Sequence, residues 1–240
     1  MLSKPLTLIS ALTLAPLAWS QALLTNQHVD LNIHFSGGTA QSAWSMGARD
    51  DDDDIEYAPN QCILRVGSAA RTARNSSPSF DFIGVPAGKL YWRLPQLQNP
   101  VLLYLGFAGY GVGFSSIASY DATAESGGRV SGNGPWVKVT LMQVRTKVRG
   151  GQFSVWQTGD TGPVVFMATS DGITSNDALW IVAGGHIHYN WGFTTPGDYF
   201  VTFKTSAYLP DGQGGKGQAV ESSPITFHYV VSPLAIGPQL

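Results

Sequence analysis

The chain has 240 residues, of which 43% are hydrophobic and 12% charged, and its net charge is −2. That apolar content excludes an intrinsically disordered chain, and the lack of a basic stripe speaks against nucleic acid as a partner. With 28 glycines and 14 prolines, turns are frequent, which favours many short strands over long helices.

Residues 1–20 carry the pattern of a secretory signal. Lys4 supplies the positive region, PLTLISALTLAPLA the apolar stretch, and AWS a small-x-small cleavage site before Gln21. The mature chain, 21–240, is therefore expected to be exported to the periplasm, the cell surface or the medium. Beyond the signal no stretch approaches the ~20 apolar residues of a transmembrane helix. Cys62 is the only cysteine, so no internal disulfide can form; within QCILRVG it reads as a small buried strand residue.

HVDLNIHF alternates with period two. Val29, Leu31, Ile33 and Phe35 share one face, and His28, Asp30, Asn32 and His34 share the other. The run Asp50 to Asp54 lacks the ligand spacing and glycine turn of a calcium loop, so it reads as a solvated, mobile loop. QCILRVG, FDFIGV and KLYWRLPQ follow as short strands, the last ended by Pro95. VLLYLGFAGYGVGF is apolar and studded with glycine, as in a bent strand or bulge.

WVKVTLMQVRTKV alternates, turns at Arg149 to Gly151, and returns as QFSVWQTG, which predicts a hairpin. PVVFMATSDG is a strand, and NDALWIVAGG fits either a short helix or a strand. In GGHIHYNWGFTTPGDYFVTF, His186, His188 and Asn190 alternate with Ile187, Tyr189 and Trp191. Tyr199 then enters a strand after a Pro-Gly turn, which fits either a tyrosine corner or a core tyrosine behind a type II turn. ITFHYVV closes the series. These elements predict an all-β chain: a single antiparallel β-sandwich domain, immunoglobulin-like, with long loops and little helix.

Taken in order, HVDLNIHFSGG, YAPNQCILRVGSAARTARN, GVPAGKLYWRLPQLQNPVLLYLGFAG, VKVTLMQVRTKVRGGQFSVW and GGHIHYNWGFTTPGDYFVTF resemble the choice-of-anchor M domain family, also called the actinobacterial surface-anchored protein domain. The resemblance implies export, often with tethering to the bacterial surface through a C-terminal anchor. It also implies an association with metal-type ABC transporters or other envelope components. VVSPLAIGPQL shows no such anchor, which sets this chain apart from the tethered pattern.

Four of the five histidines lie in the two motif strands. An H-x-H pair places two imidazoles on one face at about 6–7 Å between Cα atoms, close enough to share an ion at Zn–N distances of about 2.0–2.1 Å. His28 and Asp30 complete a set of four if their strand lies beside the H-x-H strand, with Asn190 as an outer partner. Such an imidazole–carboxylate set suits Zn, Cu, Mn or Fe better than Ca or Mg. His34 and His228 read as surface or hydrogen-bonded strand residues.

No nucleophile elbow, paired acid and base, or basic partner for Cys62 is visible, so the chain reads as a binding protein and not an enzyme. A carbohydrate- or peptide-binding sandwich using Trp92, Trp136 or Trp156 as a platform is the alternative. A purely structural role in the envelope is a further one.

Overall fold

The computed structural model describes residues 21–233, so the predicted signal segment lies outside the described residues. The strands, in chain order, are β1 (Ala22–Leu24), β2 (His28–Phe35), β3 (Trp44–Asp50), β4 (Ile55–Tyr57), β5 (Cys62–Val66) and β6 (Arg71–Ala73). Next come β7 (Leu90–Leu94), β8 (Tyr104–Tyr110), β9 (Ser119–Asp121), β10 (Asn133–Thr146), β11 (Phe153–Gly159) and β12 (Gly162–Ala168). The last are β13 (Ala178–Val182), β14 (His186–His188), β15 (Asn190–Phe193), β16 (Gly197–Pro210), β17 (Lys216–Glu221) and β18 (Ile225–Val231).

They form three sheets. The first has the order β1-β5-β18-β16-β10-β13, with β17 on β16 and β9 on β10. The second runs β12-β11-β15-β7-β6 and the third β14-β8-β2-β3-β4. The all-β sandwich forms as expected. The second sheet is antiparallel throughout, but the first and third are mixed, since β1 with β5, β5 with β18, and β2 with β8 run parallel. Parallel neighbours need a crossover, and the long connections of this chain supply it.

One apolar cluster draws side chains from all three sheets. Trp191 of the second sheet lies 5.3 Å from Phe107 of the third, and 6.4 and 6.1 Å from Phe203 and Tyr229 of the first, ring centre to ring centre. Its indole N–H donates to the Leu105 carbonyl at 3.0 Å, which satisfies the one polar atom of a wholly buried ring. Tyr199 makes a tyrosine corner. Its hydroxyl accepts from Thr195 N at 3.1 Å and donates to Thr195 O at 3.0 Å, and its ring packs edge-on against Phe193.

Three local expectations are corrected. β10 and β11 are not a hairpin: β10 pairs with β9, β13 and β16, and β11 with β12 and β15. Arg149 to Gly151 is an arch between sheets, and the two-residue hairpin is instead β11–β12, closed between Gly159 and Gly162. FDFIGV is not a strand. Residues Pro78–Ile83 form a 3-10 helix, opened by the Ser77 side chain accepting from Ser79 N and ended by Gly84 at φ 82°. Lastly, Trp92, Trp136 and Trp156 are buried at 5%, 9% and 0% exposure, so none is an open aromatic platform. Cys62 is buried as expected, and burial lifts its thiol to about 11, away from reactivity at neutral pH.

Candidate metal centre

The alternation read in β2 is realised in the structure. Val29, Leu31, Ile33 and Phe35 are sealed in the core, and the other face carries His28, Asp30, Asn32 and His34. β14 does not lie beside β2; β8 runs between them. Asp30 of β2 and His188 of β14 are both in register with Gly106 of β8. Side chains from the two outer strands therefore lean toward each other over a residue that has none. A Cβ on Gly106 would collide with Asp30 Oδ1 and stand 2.9 Å from His188 Cε1.

The result is a convergence of nitrogen lone-pair positions. His188 Nε2 lies 3.0 Å from His28 Nε2 and 2.7 Å from His186 Nε2. Asp30 Oδ2 is 3.1 Å from His186 Nε2 and 3.9 Å from His28 Nε2, and Asp30 Oδ1 is 3.8 Å from His188 Nε2. In a tetrahedron with bonds of about 2.0–2.1 Å, donor atoms stand roughly 3.3 Å apart. The four groups bracket that spacing, and their donor atoms all lie within 4.8 Å of one another. His28, Asp30, His186 and His188 together could hold a metal ion.

The surroundings fix these side chains and leave them short of partners. Tyr104, two residues before Gly106 and on the same face of β8, stacks flat on His188 at 3.5 Å with a 2° interplanar angle. Gln157 Nε2 of the second sheet donates to the His188 carbonyl at 3.0 Å. Asp30 is 1% exposed, and its Oδ1 has no hydrogen-bond partner. An orphaned buried carboxylate oxygen is expensive unless something cationic faces it.

Electrostatics tell the same story. Burial is the main reason the Asp30 carboxyl rises to about 7, and the neighbouring Asp51 adds to the rise. His188 falls to about 3, from burial first and then from its two imidazole neighbours. His186 is lowered by burial and by His28. Charge is thus disfavoured on the acid and on these two bases; the imidazoles are held in the neutral form that ligates metal, and a cation at their centre would favour ionisation of the carboxyl.

No protein-family model, curated protein or solved structure matches this chain. The site therefore rests on its own geometry.

Asn190 takes no part in the cluster. The chain changes sheet at Tyr189, which carries Asn190 onto β15 of the second sheet. There its side chain accepts from Gln96 N at 3.1 Å and donates to Gln96 Oε1 at 3.2 Å. The acidic run is also more ordered than its composition suggested. Asp50 is buried, and its Oδ1 accepts from the backbone N–H of Asp52 at 3.1 Å, tightening the turn into β4. Asp52 accepts from His28 N at 3.1 Å, and Asp51 Oδ2 faces His28 Nδ1 at 3.6 Å. A carboxylate on the Nδ1 side of an imidazole is the usual brace for a ring that binds metal through Nε2.

His34 and His228 are hydrogen-bonded strand residues as expected. They meet Glu56 Oε1 and Asp198 Oδ1, each at 2.7 Å. Sequence reasoning missed Gly106, Tyr104 and Asp51. Of these only Gly106 left a signal: a glycine inside an apolar strand marks a close approach by another group.

Proposed function

We propose that this chain is an exported, non-catalytic metal-binding protein of the bacterial envelope, of the choice-of-anchor M type. It would hold one transition metal ion through His28, Asp30, His186 and His188. The observation that carries the reading is the meeting of three Nε2 atoms and one buried carboxylate over Gly106. Three imidazoles and a carboxylate at near-tetrahedral spacing suit Zn first, and Cu, Mn or Fe after it.

Four protein donors leave no free position of the kind that catalytic zinc keeps for water. Capture or delivery, with a metal-type ABC transporter or another envelope component as recipient, fits better than turnover. His186, with 42% of its side chain exposed, is the ligand an incoming ion meets first.

Elemental analysis of the natively purified protein tests the reading. About one transition metal ion per chain is expected, and none in a His186→Ala/His188→Ala double variant. Stoichiometric metal in that variant, or a metal-free wild type that takes up no added Zn, would sink it.

A further inference from the structure

The charge of this chain is unevenly spread, and its acidic part adjoins the metal cluster. Residues 31–57 hold six carboxylates, Asp50 to Asp54 and Glu56, against a single lysine or arginine, Arg49, for a formal −5 apart from the donor Asp30. Residues 58–233 hold twelve lysines and arginines against nine acids, a formal +3. The acidity is therefore local, on a chain whose total is −2.

Pairing cancels only part of it. Arg49 is engaged by Asp51 and Asp54, and His34 by Glu56. Among the described residues Asp52 and Asp53 have no cationic side chain as partner, and both are exposed. They stand beside the cluster: Asp52 accepts from the His28 N–H at 3.1 Å, Asp53 follows it, and Asp51 Oδ2 lies 3.6 Å from His28 Nδ1. Exposed charges act over roughly 8–10 Å at physiological salt, so an ion approaching His28 feels this turn.

Two further features bear on the form in which the ion arrives. Four protein donors already make a tetrahedral set, so the carboxylates of a chelator have no position on the bound ion. Arg49, in register with Asp30 and on the same face, is taken up by Asp51 and Asp54, so it is not free to hold a chelator's carboxylate.

We propose that the turn Asp50 to Asp54 is an electrostatic funnel, and that the site loads the free hydrated divalent cation and rejects anionic metal chelates. The inference rests on the metal reading. A field of this sign raises the local concentration of the cation and repels a chelate of net negative charge. It acts on the rate of loading and leaves the rate of release to the four donors.

Stopped-flow mixing of zinc with the metal-free full chain, with a zinc-responsive dye following the free ion, tests it. The loading rate constant should fall about tenfold between about 10 and about 300 mM salt. In Asp53→Lys it should fall severalfold, with the release rate, read by chelator challenge, unchanged. Asp171→Lys makes the same change of charge at an exposed acid in the turn after β12, and should load as wild type does. Asp53→Asn should fall between wild type and Asp53→Lys, and keeps the test valid if the lysine variant fails to fold. With zinc presented as its nitrilotriacetate complex, a monoanion, loading should track the free ion and slow as nitrilotriacetate is added in excess. A loading rate insensitive to salt, equal in Asp53→Lys and wild type, or proportional to total chelate would overturn the inference and leave the metal site standing. Failure of the wild type to take up zinc at equilibrium would remove both.

Discussion

The polar face of β2 carries two imidazole–carboxylate clusters side by side. At one end His28 and Asp30 meet His186 and His188 over Gly106; at the other Asn32 and His34 meet Glu56 over Gly47. Both use the same device, a glycine in the neighbouring strand that lets a long side chain lie across it. They differ in the ratio of imidazole to acid. His34 and Glu56 neutralise each other at 2.7 Å, and Asn32 Nδ2 donates to the other Glu56 oxygen at 2.9 Å. The first cluster has three imidazoles for one carboxylate and leaves Asp30 Oδ1 without a donor. Proximity of histidine to acid and one orphaned buried oxygen, Asp30 Oδ1 or Asn32 Oδ1, are common to both; the convergence of three imidazole nitrogens on one carboxylate is what distinguishes the candidate metal site from the structural ion pair.

The largest effect that would break this comparison comes from Gly106. In Gly106→Ala the new methyl collides with Asp30 and crowds His188, so zinc affinity should fall about 100-fold, read by competition with a chelator. An unchanged affinity would show that the ligands do not need the space over β8. Gly47→Ala is the matched control. A Cβ there would collide with Glu56 Oε1 and lie 2.8 Å from its Cγ. The expectation is a loss of about 1–3 kcal/mol in denaturant unfolding, with metal content intact.

The smallest effect sharpens the contrast. Glu56→Gln should lower stability by less than about 1 kcal/mol, because the pair is partly exposed to solvent. The hydrogen bond that His34 donates to Glu56 raises His34 above 6.5, so its contribution is full below that value and fades as pH rises through the folded pKa. Burial pushes Glu56 up, but hydrogen bonds from His34 and Asn32 outweigh it and hold the carboxyl below 4.5. Its contribution is full above 4.5 and fades as pH falls through the folded pKa. The deficit in Glu56→Gln should therefore peak between pH 4.5 and 6.5. A deficit that grew steadily toward alkaline pH would contradict the pairing.

Much of the site was legible in the chain, because period-two alternation is local. HVDLNIHF and HIH each declared which residues share a face, and those residues meet. Sheet order was not legible. Nothing in VLLYLGFAGYGVGF says that it will run between the two histidine strands, since strand neighbours are chosen by packing across the whole core. The same reason undid the hairpin at Arg149 to Gly151. A glycine turn serves an arch between layers as well as a return within one, and β10 found better partners in β13 and β16. FDFIGV was misread because aromatic residues favour strands, whereas Pro78 and Gly84 are the punctuation of a short helix. The five aspartates looked like solvated charge. Three of them are backbone or histidine partners, which only the fold of the turn could assign.

The crossing at Tyr189 has a further consequence. Two of the four donors sit on a ribbon that leaves the third sheet and enters the second within one residue, and that residue is wholly buried. The four-residue cluster is thus riveted through the seam between layers, and local fraying cannot spread His188 from Asp30 while the layers stay together. Release of an ion by heat should then coincide with collapse of the whole sandwich, in a single thermal event.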